Sequence, residues 1–306
     1  MSSRDRFAAY RRALPRPPRL TRHTVRARGL DFAVFMSPAV EGATPLVCIN
    51  GGLLYDHRLL WPALSPLAAA RQVVLYDQRG RGASQPPPGI RAARIEHDAG
   101  DVGALREALG IARWDVLGHS WGGGIAMLAA AADPAGTRRL VLVNAVGTTS
   151  EGWLDELHER ALERLDDPGR DALDRASDAI AEHEAVSHGT GDPALLSDYQ
   201  AAIYPAWFAD RELAALFNPP RSTSRTGAAV SARLRRAGYD WRETLRAVTA
   251  PTLVIHGESD LLPPAVARAT AALLGAELAL IPDAGHMPFW EAPPRFFALV
   301  EEFLRR

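Results

Sequence analysis

The 306 residues contain no lysine, so all 35 basic side chains are arginine. That absence excludes a lysine Schiff base, a serine–lysine dyad and the lysine of a phosphate-binding loop. A single cysteine, Cys48, excludes an internal disulfide and a thiolate metal cluster, and a lone thiol fits a reducing compartment. No stretch reaches the roughly 18 apolar residues of a membrane-spanning helix. Excess charge is lacking too: the net value is −1, which points to neither nucleic acid nor an anionic membrane surface as a partner. The Arg- and Pro-rich start of the chain has no apolar run of the secretion-signal kind. The expectation is a cytoplasmic protein acting on a small molecule, with residues 1–19 as a loosely docked arm.

Apolar residues at 47% and charged residues at 23% are ordinary for a folded chain, and the length allows one large core. Two alternating segments, 20–28 and 30–36, turn at Arg28-Gly29 and read as an antiparallel hairpin. Short apolar runs at 45–50, 72–76, 114–117, 139–143, 251–256 and 277–281 read as strands. Helical patterns at 57–70, 94–109, 121–132, 264–274 and 294–305 separate them. Such alternation predicts an α/β fold, a mostly parallel sheet covered by helices on both faces. The segment 146–248 departs from this rhythm. It has apolar spacing at Trp153, Leu154, Leu157, Leu162 and Leu165, a break at Pro168-Gly169, and helical patterns over 171–186 and, interrupted by Pro205, over 194–217. It reads as a helical cap inserted into a core made of 20–145 and 249–306.

Gly118-His119-Ser120-Trp121-Gly122 falls where a predicted strand meets a predicted helix. That is the setting a G-x-S-x-G nucleophile elbow requires, because the sharp turn leaves no room for Cβ atoms beside it. A serine hydroxyl is a poor nucleophile without a base, and the base needs an acid to orient it. The loops after the later strands supply both: Asp260 follows 251–256 and His286 follows 277–281, in the chain order Ser, Asp, His. Alone, Asp260 could be a helix cap and His286 a loop histidine; the order and placement favour a catalytic set. Glu258 is a rival acid, and Asn144, after 139–143, occupies a second acid position without a charge. His119 reads as structural.

A developing oxyanion needs two fixed donors. The backbone N–H groups of Trp121, next to the serine, and of Gly52, in the loop after 45–50, are the candidates, although Gly51-Gly52 also reads as a plain turn. Leu53, Tyr204, Trp207 and Phe208 are the candidates for substrate contact; the cap aromatics, with Tyr199 and Phe217, also fit a packed cap interior. Arg221, Arg225, Arg233, Arg235 and Arg236 could hold an anionic substrate, but a solvated face is the simpler reading. His183 and His188 lie five residues apart and share no helix face, so no metal is expected.

With Asn50-Gly51-Gly52, the run from Tyr76 to Ser84 (Tyr-Asp-Gln-Arg-Gly-Arg-Gly-Ala-Ser), Gly118 to Gly123, and Ala284-Gly285-His286, the chain resembles the α/β-hydrolase superfamily, nearest to proline iminopeptidase-like hydrolases. The resemblance runs from about residue 20 to the end. It implies a core sheet with a helical cap, no cofactor, and an acyl-enzyme on Ser120. Two features depart from that group. Its loop reads His-Gly-Gly-Pro-Gly where this chain has Asn50-Gly51-Gly52-Leu53-Leu54, and its cap glutamates, which hold a substrate amine, find no acid in 225–239. Epoxide hydrolases and haloalkane dehalogenases, similar otherwise, carry Asp where this chain has Ser120. The expected activity is hydrolysis of an ester, lactone or amide. Aminopeptidase activity, a non-hydrolytic reaction (acyl transfer, a lyase or a cyclase) and ligand binding without turnover remain alternatives on the same scaffold.

Overall fold

The computed structural model describes residues 3–187, 190–218 and 220–306. Its centre is an eight-stranded sheet in the order β1-β2-β4-β3-β5-β6-β7-β8. The strands are β1 (Thr21–Ala27), β2 (Leu30–Met36), β3 (Leu46–Ile49), β4 (Val73–Tyr76), β5 (Trp114–His119), β6 (Thr137–Val143), β7 (Thr252–Gly257) and β8 (Glu277–Ile281). The hairpin β1–β2 is antiparallel and joins β4 antiparallel; every later pairing is parallel. β3 to β7 are buried at nearly every position, as parallel strands covered on both faces must be. Period-two alternation divides the core. Val47, Ile49, Leu140 and Leu142 face one layer, with the helices Ile95–Ala108 and Trp121–Ala132, while Leu46, Cys48, Val141 and Val143 face the other, with Pro293–Arg305.

Between β6 and β7 the described chain adds helices only: Leu157–Leu162, Asp167–Val186, Pro193–Ile203, Arg211–Ala214, Arg225–Ala237 and Arg242–Leu245. This is the inserted cap. Arginines stitch it to the core. Arg160 Nε donates to Leu261 O at 2.8 Å, and Arg164 donates to Ser259 O at 2.6 Å and Asp260 O at 2.9 Å.

Three expectations need correction. The segment 57–70 is not one helix but two 3-10 turns, His57–Leu59 and Ser65–Ala69, because Pro62 and Pro66 withdraw the donors that an α-helix would need. The break expected at Pro168-Gly169 falls a few residues earlier, between Leu157–Leu162 and Asp167–Val186, and Pro168-Gly169 opens the second helix: Asp166 caps it by accepting from Gly169 N at 3.0 Å, and Pro168 sits in the first turn, where no donor is lost. The N-terminal arm is a docked helix, Ser3–Ala13, whose Phe7 ring packs 5.3 Å from Phe217 and 5.6 Å from Trp290. The expected loop at 187–193 lies partly outside the described residues, at 188 and 189, and His188 with it.

Candidate active site

Parallel strands deliver their carboxyl ends to one edge of the sheet, and the registers Ile49↔Gly118, His119↔Val143 and Gly257↔Ile281 keep those ends level. The loops that follow β3, β5, β6, β7 and β8 therefore meet. Ser120, directly after β5, has φ 57° and ψ −125°, a left-handed conformation that a non-glycine residue adopts only when its surroundings hold it there. Its neighbours have to be small. A Cβ on Gly118 would stand 2.3 Å from Gly122 O, and one on Gly122 would stand 2.1 Å from Ile49 O. Backbone bonds from Ser120 N to Val143 O (3.0 Å) and from Gly123 N to Ser120 O (2.8 Å) fix the turn at the start of the Trp121–Ala132 helix.

His286 sits in the loop after β8, with Nδ1 2.9 Å and 3.0 Å from the two carboxylate oxygens of Asp260. That contact occupies one ring nitrogen and leaves Nε2 for the pocket, which both Ser120 and His286 line. Burial alone would raise the Asp260 carboxyl, but His286, His256 and Asn144 outweigh it and hold it below the ordinary value. Glu258 is exposed, its backbone tied to Ile281 O; Asp260 and not Glu258 meets the histidine.

Several further residues support this arrangement, and of these sequence reasoning passed over Glu291. Asn144 has no carboxylate, yet its Nδ2 donates to Asp260 Oδ2 at 2.6 Å and to Gly285 O at 3.1 Å, so this second acid position orients the first. The buried Glu291 carboxylate accepts from the backbone N–H of Gly285 (2.9 Å), Met287 (2.9 Å) and cap residue Ala209 (2.8 Å), bracketing His286 on both sides. His286 N itself donates to Trp207 O at 2.8 Å, and the Trp207 ring lies 4.2 Å from the imidazole. His119 Nε2 donates to His286 O (2.9 Å), and burial, with His286 beside it, lowers its pKa to about 3.

The loop after β3 is fastened by the Tyr76–Ser84 run: Gln78 Nε2 donates to Asn50 O at 2.8 Å and Arg81 Nε to Leu53 O at 2.8 Å. Arg81 is fully buried and paired with Asp98, which burial raises despite the guanidinium. Gly52, with φ 77°, and Trp121 both line the pocket beside Ser120. Of the substrate-contact candidates, Tyr204 and Trp207 line it, with Trp153, Leu154 and Leu157. Leu53 and Phe208 do not. Leu53 is drawn into the sheet core, and Phe208 stacks 5.1 Å from Phe217. The cavity holds about 60 Å³, and among the described residues no Asp, Glu or Arg lines it.

Asp56, His57 and Asp77 bring potential metal-ligand atoms within 4.8 Å of one another. They satisfy each other and their neighbours: Asp77 Oδ1 meets His57 Nδ1 at 2.8 Å, Asp77 Oδ2 accepts from Ala83 N, and Asp56 holds Arg58.

A strand–turn–helix serine and a histidine and acid carried on later strands, under an inserted cap, define a class that sequence comparison also finds. Residues 44–293 match the family model described as alpha/beta hydrolase fold, and the chain belongs to that family. It is 31% identical over 245 residues to a 2-hydroxymuconate semialdehyde hydrolase of Pseudomonas putida, covering 76% of this chain and 77% of that one. A proline iminopeptidase of Levilactobacillus brevis is 28% identical over 284 residues, 85% and 88% of the two chains. The solved structure of a proline iminopeptidase from Mycobacterium smegmatis superimposes with a TM-score of 0.66 at 25% identity, covering 93% of this chain and 98% of that one. Among the described residues no helix is long and apolar enough to cross a membrane.

Proposed function

We propose that this protein is a serine hydrolase that cleaves an ester, lactone or amide at an uncharged, hydrophobic acyl end, through an acyl-enzyme on Ser120. The observation that carries the proposal is the pocket itself, where Ser120 and an Asp260-held His286 meet between apolar walls. Ser120 Oγ attacks the carbonyl carbon while His286 Nε2 takes its proton, and the oxyanion rests on the backbone N–H groups of Gly52 and Trp121. Collapse breaks the bond to the leaving group, which departs with the proton from His286. Water then attacks the acyl-serine as His286 takes one of its protons, and His286 returns that proton to Ser120 Oγ as the acyl C–O bond breaks and the carboxylic acid leaves. Asp260 stays ionised throughout, holding the ring and balancing the imidazolium charge.

The absence of a carboxylate from the lining favours an acyl end without a free amine over the N-terminal substrate that the name proline iminopeptidase implies for those relatives. The partner on this reading is a small molecule, handled without a metal or an organic cofactor, and the site of action is the cytoplasm, where the single, buried Cys48 is at home.

Turnover of p-nitrophenyl acetate in ¹⁸O-labelled water tests the chemistry. Solvent oxygen is expected in the acetate, and Ser120→Ala is expected to lower kcat by about 10⁴-fold or more. Retention of most activity by that variant, or unlabelled acid from the wild type, contradicts the mechanism.

A further inference from the structure

The pocket at Ser120 is small, but behind one of its walls lies a second and larger cavity of about 480 Å³. Tyr55, Leu59 and Tyr204 line both, so the partition between the two is a single layer of side chains. The chemistry changes across it. The inner pocket has no charged wall of Asp, Glu or Arg, whereas Arg11, Arg58 and Arg221 converge on the outer cavity from three separate parts of the chain: the N-terminal helix, the turn after β3 and the cap. Trp61, Phe217 and Trp290 supply aromatic surface between them.

Arg11 and Arg221 remain available to a ligand. Arg11 lies 5.9 Å and 5.6 Å over the rings of Phe7 and Trp290 and has no carboxylate partner among the described residues. Arg58 is held through Nε and Nη2 by both oxygens of Asp56, which, among the described residues, is the one acid lining the cavity. Arg221 pairs with Asp198 from outside it, and both of those side chains are largely exposed, at 65% and 58%, where such a pair contributes little and exchanges partners cheaply. The partition carries a loose end as well. The Tyr55 hydroxyl is buried and has no hydrogen-bond partner among the described residues, an arrangement that costs free energy unless something else meets it.

We infer that the natural substrate has two parts: an uncharged acyl end that reacts at Ser120, and an anionic tail, carboxylate or phosphate, that passes Tyr55 and Tyr204 and is held by Arg11 and Arg221 in the outer cavity. The inference rests on the hydrolase reading for the reacting end. An inner volume of about 60 Å³ has space for only a few water-sized groups, so a larger acyl chain must extend past the partition. The outer cavity then offers it cations and aromatic faces. Guanidinium–carboxylate hydrogen bonds are the stronger, charge-assisted kind, and they select for the anion against an apolar end of equal length.

The test compares two esters that differ only at the far end, monomethyl suberate with a free carboxylate and methyl octanoate with a methyl group. Their binding is measured on the Ser120→Ala protein, which needs no turnover. The suberate is expected to bind about tenfold more tightly. The preference is expected to shrink toward unity at high salt and in the Arg11→Gln/Arg221→Gln background. In the protein with Ser120 intact, the same preference should appear in kcat/KM for hydrolysis of these two methyl esters. Equal or tighter binding of the octanoate overturns the inference, since burial of the apolar end would then decide. A suberate preference that survives both arginine substitutions overturns the assignment to this cavity. Failure of the unmodified protein to hydrolyse either ester, with the binding preference intact, counts against the hydrolase reading and leaves the tail site standing.

Discussion

Ser120 shows how far residue type and spacing reach on their own. The glycines at 118 and 122 are legible as a tight turn because no other side chain fits within 2.1–2.3 Å of backbone oxygen, and the strained φ of 57° then follows from the turn. His119 carries a consequence for pH. Its pKa of about 3 in the folded protein lies below the ordinary 6.5, since burial and the neighbouring His286 both disfavour the charged form. Between those two values the unfolded chain binds a proton that the folded one refuses, so stability present above about pH 6.5 drains away as the pH falls toward 3. His119→Gln removes this titration and keeps a donor for the His286 carbonyl. The urea midpoint of the variant should therefore fall less steeply than the wild type across that window; parallel curves would show that His119 does not contribute. Asn144 marks the limit of reading residues singly. In the sequence it is a missing acid, and only its 2.6 Å bond to Asp260 gives it a positive role.

At the scale of elements, strand and helix alternation was readable because burial on both faces of a parallel sheet leaves continuous apolar runs. Trp121–Ala132, Pro264–Leu274 and Glu277–Ile281 fall where periodicity puts them. What periodicity misses is backbone chemistry. The proline-rich turns at 57–70 mimic helical spacing, and Pro168 looks like a breaker until Asp166 is seen capping behind it. Glu291 belongs to the same blind spot. Its three partners are main-chain N–H groups, which leave no pattern of side chains to read. Glu291→Ala strips an acceptor from Ala209, Gly285 and Met287 together. The expected loss is about 2–4 kcal/mol of stability, with a fall in kcat for p-nitrophenyl acetate as the His286 loop loosens. Wild-type values of both would show that the loop holds its shape without the clamp.

For the whole molecule, the mostly parallel sheet and its inserted cap were legible from the order of elements, whereas the contents of the pocket were not. Which cap aromatics face Ser120 depends on packing between distant segments: Tyr204 and Trp207 turn toward it, while Phe208 turns away to Phe217. The N-terminal helix was hidden for a related reason. Its contacts are with Phe217 and Trp290, far along the chain, and nothing local announces them. Cap and core converge on one serine whose activation is the central claim. Intact mass after exposure to a fluorophosphonate, with wild type beside Ser120→Ala, tests it most directly. A single adduct mapped to Ser120 and absent from the variant is the predicted result. No adduct on the folded wild type, or one that persists in Ser120→Ala, would contradict it.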